Sequence, residues 1–245
     1  MTDILEYGST TPMPRWFSYK GGEYNGPVPA FIEDAEWSFI EEGEKRYPQL
    51  RAEIEQYLQT RGASLQPYFN TSLVKGEGAW KVAPFYTWGV RNEETCRACP
   101  QVDAFLKSIP GLVGAAISVL PPHTEISEHI GDTNTVVRCH LGLSIPPGFP
   151  DIGFEVKGEK REWKEGKWLL FLDAFRHRAW NRTDQPRYLL IIDVVLPRFL
   201  EYEKDICKNV RSLLRLQALL EKRQWMKKLP GPVLGLIRHY FKFTL

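Results

Sequence analysis

Hydrophobic and polar positions change their spacing along the chain, and each change predicts a different kind of element. Residues 1 to about 30 carry Pro12, Pro14, Pro27 and Pro29 and keep no period, which predicts an irregular lead-in. Over residues 31–61 the spacing becomes helical, with Leu50, Ile54, Tyr57 and Leu58 on one face. Pro48 suits a first helical turn, so two helices broken near residues 43–48 are predicted. From 115 to 197 short apolar and β-branched runs take over, at 115–120, 124–128, 135–145, 152–157, 168–172, 177–181 and 187–196. Turn signals such as Pro121-Pro122, Gly131-Asp132 and Pro146-Pro147-Gly148 separate them. No helix long enough for a parallel crossover lies between these runs, so a mainly β sandwich, barrel or jelly roll with flanking helices is predicted. Beyond Pro197, Ile206, Val210, Leu213, Leu214 and Leu220 share one helical face.

The expected organisation is a single domain. Residues 1–74 form the lead-in and helices, 75–198 the β core, and 199–245 a basic amphipathic helical extension. With 32 Lys plus Arg against 30 Asp plus Glu, the chain has no global field of the kind that drives nucleic-acid binding. That balance is uneven along the chain, because 199–245 holds ten basic and four acidic residues. Mixed there with Trp225, Leu236, Ile237 and Phe243, the basic residues leave two readings open. The segment docks on the core through its apolar face, or it lies on an anionic membrane surface. The apolar run 188–196 is broken by Asp193 and is too short to cross a bilayer. Asp3 and Glu6 argue against a signal peptide, and four scattered cysteines argue for a reducing compartment. A cytoplasmic protein is therefore expected, with peripheral contact at the inner membrane face as the second reading. Cys96 and Cys99 have the spacing of half a metal or redox site, but no second pair exists, so a loop without such a role is expected.

The chemistry concentrates in the β region. Of five histidines, His129 opens onto Ile130-Gly131, and His177 begins a later run; distant strands of a jelly roll lie side by side, which would let the two imidazoles converge. Gly131 would leave a gap beside them. Imidazole suits several transition metals, so convergence alone does not choose one. Arg138 and His140 stand two apart, on one face of a strand fit for burial, and Arg187 opens the last apolar run. A buried guanidinium needs an anion: either the two arginines hold a small dicarboxylate, or they form internal salt bridges, Arg187 with Asp173 or Asp193 for instance. Trp163, Trp168 and Trp180 read as packing residues, and His123, after Pro121-Pro122, as an exposed turn residue.

Three spaced segments carry a resemblance: residues 117–134, which include Pro121-Pro122-His123 and Glu128-His129-Ile130-Gly131-Asp132; then Arg138-Cys139-His140-Leu141-Gly142-Leu143; then 165–180 with Asp173-Ala174-Phe175-Arg176-His177, followed by Arg187. Over about residues 75–198 the chain resembles the aspartyl/asparaginyl β-hydroxylase family. The resemblance implies a double-stranded β-helix, cupin-like, and an Fe(II)- and 2-oxoglutarate-dependent dioxygenase that uses O2 to hydroxylate an unactivated C–H. It implies His129 and His177 as iron ligands and Gly131 as the vacant third-ligand position. It also implies Arg187 and Ser118 at the distal carboxylate of 2-oxoglutarate, with Arg138 and His140 nearer the metal. Asp132 either orients a metal-bound water or caps the turn. The substrate class stays open among small amino-acid-derived molecules, peptides and lipid acyl groups. A halogenase using the vacant position and a non-catalytic ligand-binding jelly roll are the alternatives.

Overall fold

The computed structural model describes residues 14–33, 37–62, 65–68 and 70–244. Residues 1–13 of the expected lead-in lie outside the described residues. The strand-forming region follows the sequence pattern closely, and a set of short edge strands and flanking helices completes it.

In chain order, β1 (Phe31–Ile32) precedes α1 (Ser38–Arg61), then β2 (Gln66–Pro67), β3 (Val74–Gly76), β4 (Lys81–Thr87) and β5 (Val90–Arg91). Two helices follow, α2 (Glu93–Ala98) and α3 (Pro100–Lys107). The main strands are β6 (Leu112–Leu120), β7 (Thr124–His129), β8 (Val136–Ser144), β9 (Ile152–Val156), β10 (Glu159–Arg161), β11 (Trp168–Leu172), β12 (His177–Asn181) and β13 (Arg187–Val195). Helices α4 (Glu203–Lys222) and α5 (Gly231–Phe243) close the chain. Every named pairing is antiparallel. The larger sheet runs β1-β11-β8-β13-β6-β4-β2, and the smaller runs β10-β9-β12-β7-β3. Successive strands from β6 to β9 and from β10 to β13 alternate between the two sheets and leave strands distant in sequence side by side, which makes the body a double-stranded β-helix of the jelly-roll kind.

The core between the sheets is filled by Val and Leu from β8 and β13 and by Phe154 and Phe171 from opposite layers, whose rings stand 4.7 Å apart. Helix α1 corrects the expectation of two helices: it runs unbroken through Pro48. One missing backbone donor is outweighed by the packing of Phe39, Leu50, Ile54 and Tyr57, all buried along one side. Gly43 lets this helix approach the sheet, since a Cβ there would lie 2.8 Å from the Trp168 ring. Cys96 is also not in a loop; it lies in α2, whose first turn Asn92 caps by accepting from the Thr95 N–H. Both Cys96 and Cys99 are buried, and burial pushes each thiol up to about 12, which leaves them protonated and inert at neutral pH. His123 is exposed, as expected, and faces Asp184 at 3.0 Å.

Candidate active site

The two histidines meet because β7 and β12 are neighbours in the smaller sheet. His129 and His177 are cross-strand partners, and their rings stand 4.1 Å apart. Between His177↔His129 and Ala179↔Ile126 the register shifts, so β7 has one residue more than β12 over this stretch. That bulge lets Ile126 and His129, three apart, line the same cavity. Each ring is fixed in the same way: His129 Nδ1–H donates to the Ser127 carbonyl at 2.9 Å, and His177 Nδ1–H to the Phe175 carbonyl at 2.8 Å. A carbonyl only accepts, so both Nδ1 atoms carry the proton and both Nε2 lone pairs stay free. Burial pushes His129 down to about 4 and His177 well below its ordinary value, so both rings are neutral at pH 7.

The opposite wall is built by the larger sheet. Ser118 on β6, Arg138 and His140 on β8, and Arg187 on β13 line the same cavity, together with Trp80 and Trp163. Ser118 Oγ accepts from Trp80 Nε1–H at 2.9 Å, which leaves its hydroxyl proton free to donate. Trp163 Nε1–H donates to His140 Nδ1 at 3.2 Å, so the His140 proton sits on Nε2. Burial and the nearby Arg187 charge hold His140 well below its ordinary pKa, as a neutral donor.

The two arginines differ. Arg138 Nε and Nη2 donate to Asp193 Oδ1 and Oδ2 at 2.7 and 2.9 Å, and its Nη1 lies 2.6 Å from Asp173 Oδ1. The salt bridges therefore belong to Arg138, whose register partner on β13 is Asp193. Arg187 has neither carboxylate. It is 1% exposed, its guanidinium lies over the Trp163 ring at 4.7 Å, and its Nε and Nη2 have no hydrogen-bond partner among the described residues. Burial alone lowers its pKa, to about 9, which still leaves it charged at pH 7. An unpaired buried guanidinium costs several kcal/mol. It makes physical sense as one half of a pair whose other half is an anionic ligand.

Gly131 corrects another expectation, because the corner beside the histidines is filled. A Cβ at 131 would lie 1.7 Å from Asp173 Oδ2, and the Gly131 N–H donates to the Asp173 carbonyl at 2.8 Å. The space a side chain at position 131 would occupy is thus taken by a carboxylate arriving from the turn after β11. Asp173 Oδ1 is 3.7 Å from His177 Nε2 and, off the line of the Arg138 N–H bonds, has no hydrogen bond of its own. Burial pushes Asp173 up to about 7 in spite of Arg138. Asp132 lies on the other side of this turn: its carbonyl accepts from the Ser18 N–H at 2.9 Å, and the Ser18 side chain also bonds its carboxyl group. Asp173, Trp80 and Trp163 are the site residues that sequence reasoning missed in these roles.

Among the described residues no group of three His, Cys, Asp or Glu side chains could hold a metal ion. The fit therefore rests on two neutral imidazoles with free Nε2 atoms and on the Asp173 carboxylate beside them, ion-paired with Arg138 and 3.7 Å from His177 Nε2. That donor set suits a divalent transition metal bound by nitrogen and by water held through Asp173. The lone Arg187, with Ser118 and His140, suits a carboxylate ligand.

The chain is similar to known proteins over much of its length. The family model described as aspartyl/asparaginyl beta-hydroxylase matches residues 44–197. The chain is 35% identical over 173 residues to an ornithine lipid ester-linked acyl 2-hydroxylase of Rhizobium tropici, covering 69% of this chain and 61% of that one. It is 33% identical over 194 residues to aspartate beta-hydroxylase domain-containing protein 2 of Rattus norvegicus, covering 73% of this chain and 54% of that one. The chain thus spans between half and two thirds of the length of these relatives. A solved prolyl-4-hydroxylase of Pseudomonas putida aligns with 61% of this chain and 86% of its own at 15% identity, with a TM-score of 0.41. The chain belongs to the aspartyl/asparaginyl β-hydroxylase family.

Proposed function

We propose that the protein is an Fe(II)- and 2-oxoglutarate-dependent hydroxylase. The observation that carries the reading is Arg187, a fully buried guanidinium without an anionic partner among the described residues, in one cavity with two neutral, oriented imidazoles. His129 and His177 would hold the iron through Nε2, and Arg187, Ser118 and His140 would hold the carboxylates of 2-oxoglutarate. Bound iron with 2-oxoglutarate and O2 supplies the oxidising power: the co-substrate loses CO2 to become succinate, and one oxygen atom enters a substrate C–H bond.

The rest follows from this chain's own groups. The Ser127 and Phe175 carbonyls fix both imidazole tautomers, so neither ring must lose a proton to bind metal. Arg138 holds Asp173 and Asp193 in place. A divalent cation and a dicarboxylate cancel each other's charge, so the two ligands can enter together without adding net buried charge. Asp173 is placed to accept a hydrogen bond from water next to His177. A halide at the corner beside Gly131 would face that same carboxylate, which favours hydroxylation over halogenation.

The two relatives differ in what their names describe, an acyl 2-hydroxylase acting on ornithine lipid and a protein with an aspartate beta-hydroxylase domain. We propose that this chain hydroxylates an acyl group. The test is incubation of the purified protein with Fe(II), 2-oxoglutarate and total lipid or peptide substrates, reading succinate and a +16 product by mass spectrometry. Succinate coupled to a +16 lipid is expected. A +16 peptide would overturn the substrate, and no succinate with any substrate would overturn the hydroxylase.

A further inference from the structure

Helix α5 is apolar on more sides than its packing needs. Leu234, Ile237 and Phe241 turn inward and are partly covered where α5 packs on α4, with Arg215 over the Phe241 ring at 5.4 Å. Lys242 ties the same side to Asp205 at 2.6 Å. Val233, Leu236, Tyr240 and Phe243 form a second stripe at helical spacing, and it faces solvent; Leu236 is 70%, Tyr240 64% and Phe243 76% exposed. A helix that only docks on its own protein carries polar residues on that outer side. Trp225, in the turn just before α5, is 63% exposed and adds a large interfacial ring to the same segment.

Charge indicates what covers the stripe. Residues 221–245 hold six Lys or Arg and a single Glu. Lys222, Arg223 and Lys228 are exposed just before α5, whose first turn has no acidic residue to offset the positive end of its dipole. Apolar side chains, an interfacial Trp and adjoining basic groups match an anionic lipid surface, with the stripe among acyl chains and the basic groups at phosphates. No helix among the described residues is long and apolar enough to cross a membrane.

The surface is mechanically close to the site. Arg238 of α5 lies over the Tyr19 ring at 3.7 Å, and Tyr19 belongs to the segment whose Ser18 N–H binds the Asp132 carbonyl, one residue from Gly131. We propose that the outer face of α5, with Trp225 and the basic residues before it, docks the protein on an anionic membrane. This extends the proposed function by placing its acyl substrate in a bilayer, and to that extent rests on it.

The test is flotation of the full chain with vesicles of phosphatidylcholine alone or mixed with phosphatidylglycerol. Wild type floats with the mixed vesicles, and much less with phosphatidylcholine. The double variant Leu236→Glu, Phe243→Glu loses at least about ten-fold in partitioning, and Lys222→Glu, Arg223→Glu, Lys228→Glu loses as much, whereas Phe149→Glu, at an exposed apolar site elsewhere, does not change. Circular dichroism confirms that the variants are folded. Wild-type flotation of the Leu236/Phe243 variant overturns the proposal. So does a dimer in analytical ultracentrifugation that this variant dissociates while neither form floats, since a second copy would then cover the stripe. Flotation needs neither iron nor 2-oxoglutarate: binding without succinate formation would refute only the catalytic reading, and turnover without binding only the membrane surface.

Discussion

Replacing Arg187 by Met gives opposite expectations for a ligand-holding and a structural arginine. Removing one partner of a buried salt bridge costs about 3–5 kcal/mol, because the other charge is stranded. Arg187 has no such partner among the described residues, where its Nε and Nη2 are unsatisfied. Without ligand, Arg187→Met is therefore expected to leave the melting temperature unchanged or to raise it. With ligand the order reverses. A 2-oxoglutarate concentration of about 100 times Kd stabilises the wild type by about 2.7 kcal/mol. Losing a buried charge-assisted pair at the low end, about 2 kcal/mol, raises Kd roughly 30-fold and leaves about 0.9 kcal/mol of that gain. For a chain of this size these correspond to shifts of about 5–11 °C in the wild type and about 2–3 °C in the variant. The assay is anaerobic thermal unfolding with Mn(II) in place of Fe(II), with and without 2-oxoglutarate. An Arg187→Met protein that is destabilised by several kcal/mol without ligand, yet keeps the full shift with it, would refute the reasoning.

Gly131→Ala should displace the Asp173 carboxylate and weaken Mn(II) binding by at least about ten-fold, and Asp173→Ala in the same chain should relieve the clash, so that calorimetry finds the two substitutions non-additive. Asp173→Asn should also weaken metal binding while the protein stays folded; unchanged affinity would mean that Asp173 serves Arg138 alone. His129 has a folded pKa near 4 against an ordinary value of 6.5. A depressed value means stability present above pH 6.5 and lost as pH falls towards 4, about 3 kcal/mol from this ring. His129→Gln should remove that loss from the metal-free stability profile measured in urea between pH 6.5 and 4, leaving exposed the opposite trend of similar size from the raised Asp173. An unchanged profile would show that the ring is protonated in the native state.

Much of the fold was legible because the core strands are β-branched and apolar runs bounded by Pro, Gly and Asp. All seven expected strands exist within a few residues of their expected ends. Strand β4 was missed because Pro84 interrupts it, and α1 was split because local proline chemistry says nothing of the packing that holds the helix straight. The histidine pair and the cavity residues could be named from the resemblance, but their roles depend on register. Only the pairing of β8 with β13 assigns Asp193 to Arg138 and leaves Arg187 alone. Asp173 was weighed only as a salt-bridge partner, since nothing in its turn sequence says that its carboxylate fills the space of the residue-131 side chain.

The most direct test of the central claim is anaerobic titration of the metal-free protein with Fe(II) and then 2-oxoglutarate, followed by visible absorption. A metal-to-ligand charge-transfer band should grow to one equivalent in the wild type. It should be absent from folded His129→Ala and His177→Ala proteins, and appear only at much higher 2-oxoglutarate in Arg187→Met. No band from correctly folded wild-type protein, or an undiminished band in either histidine variant, would contradict the account.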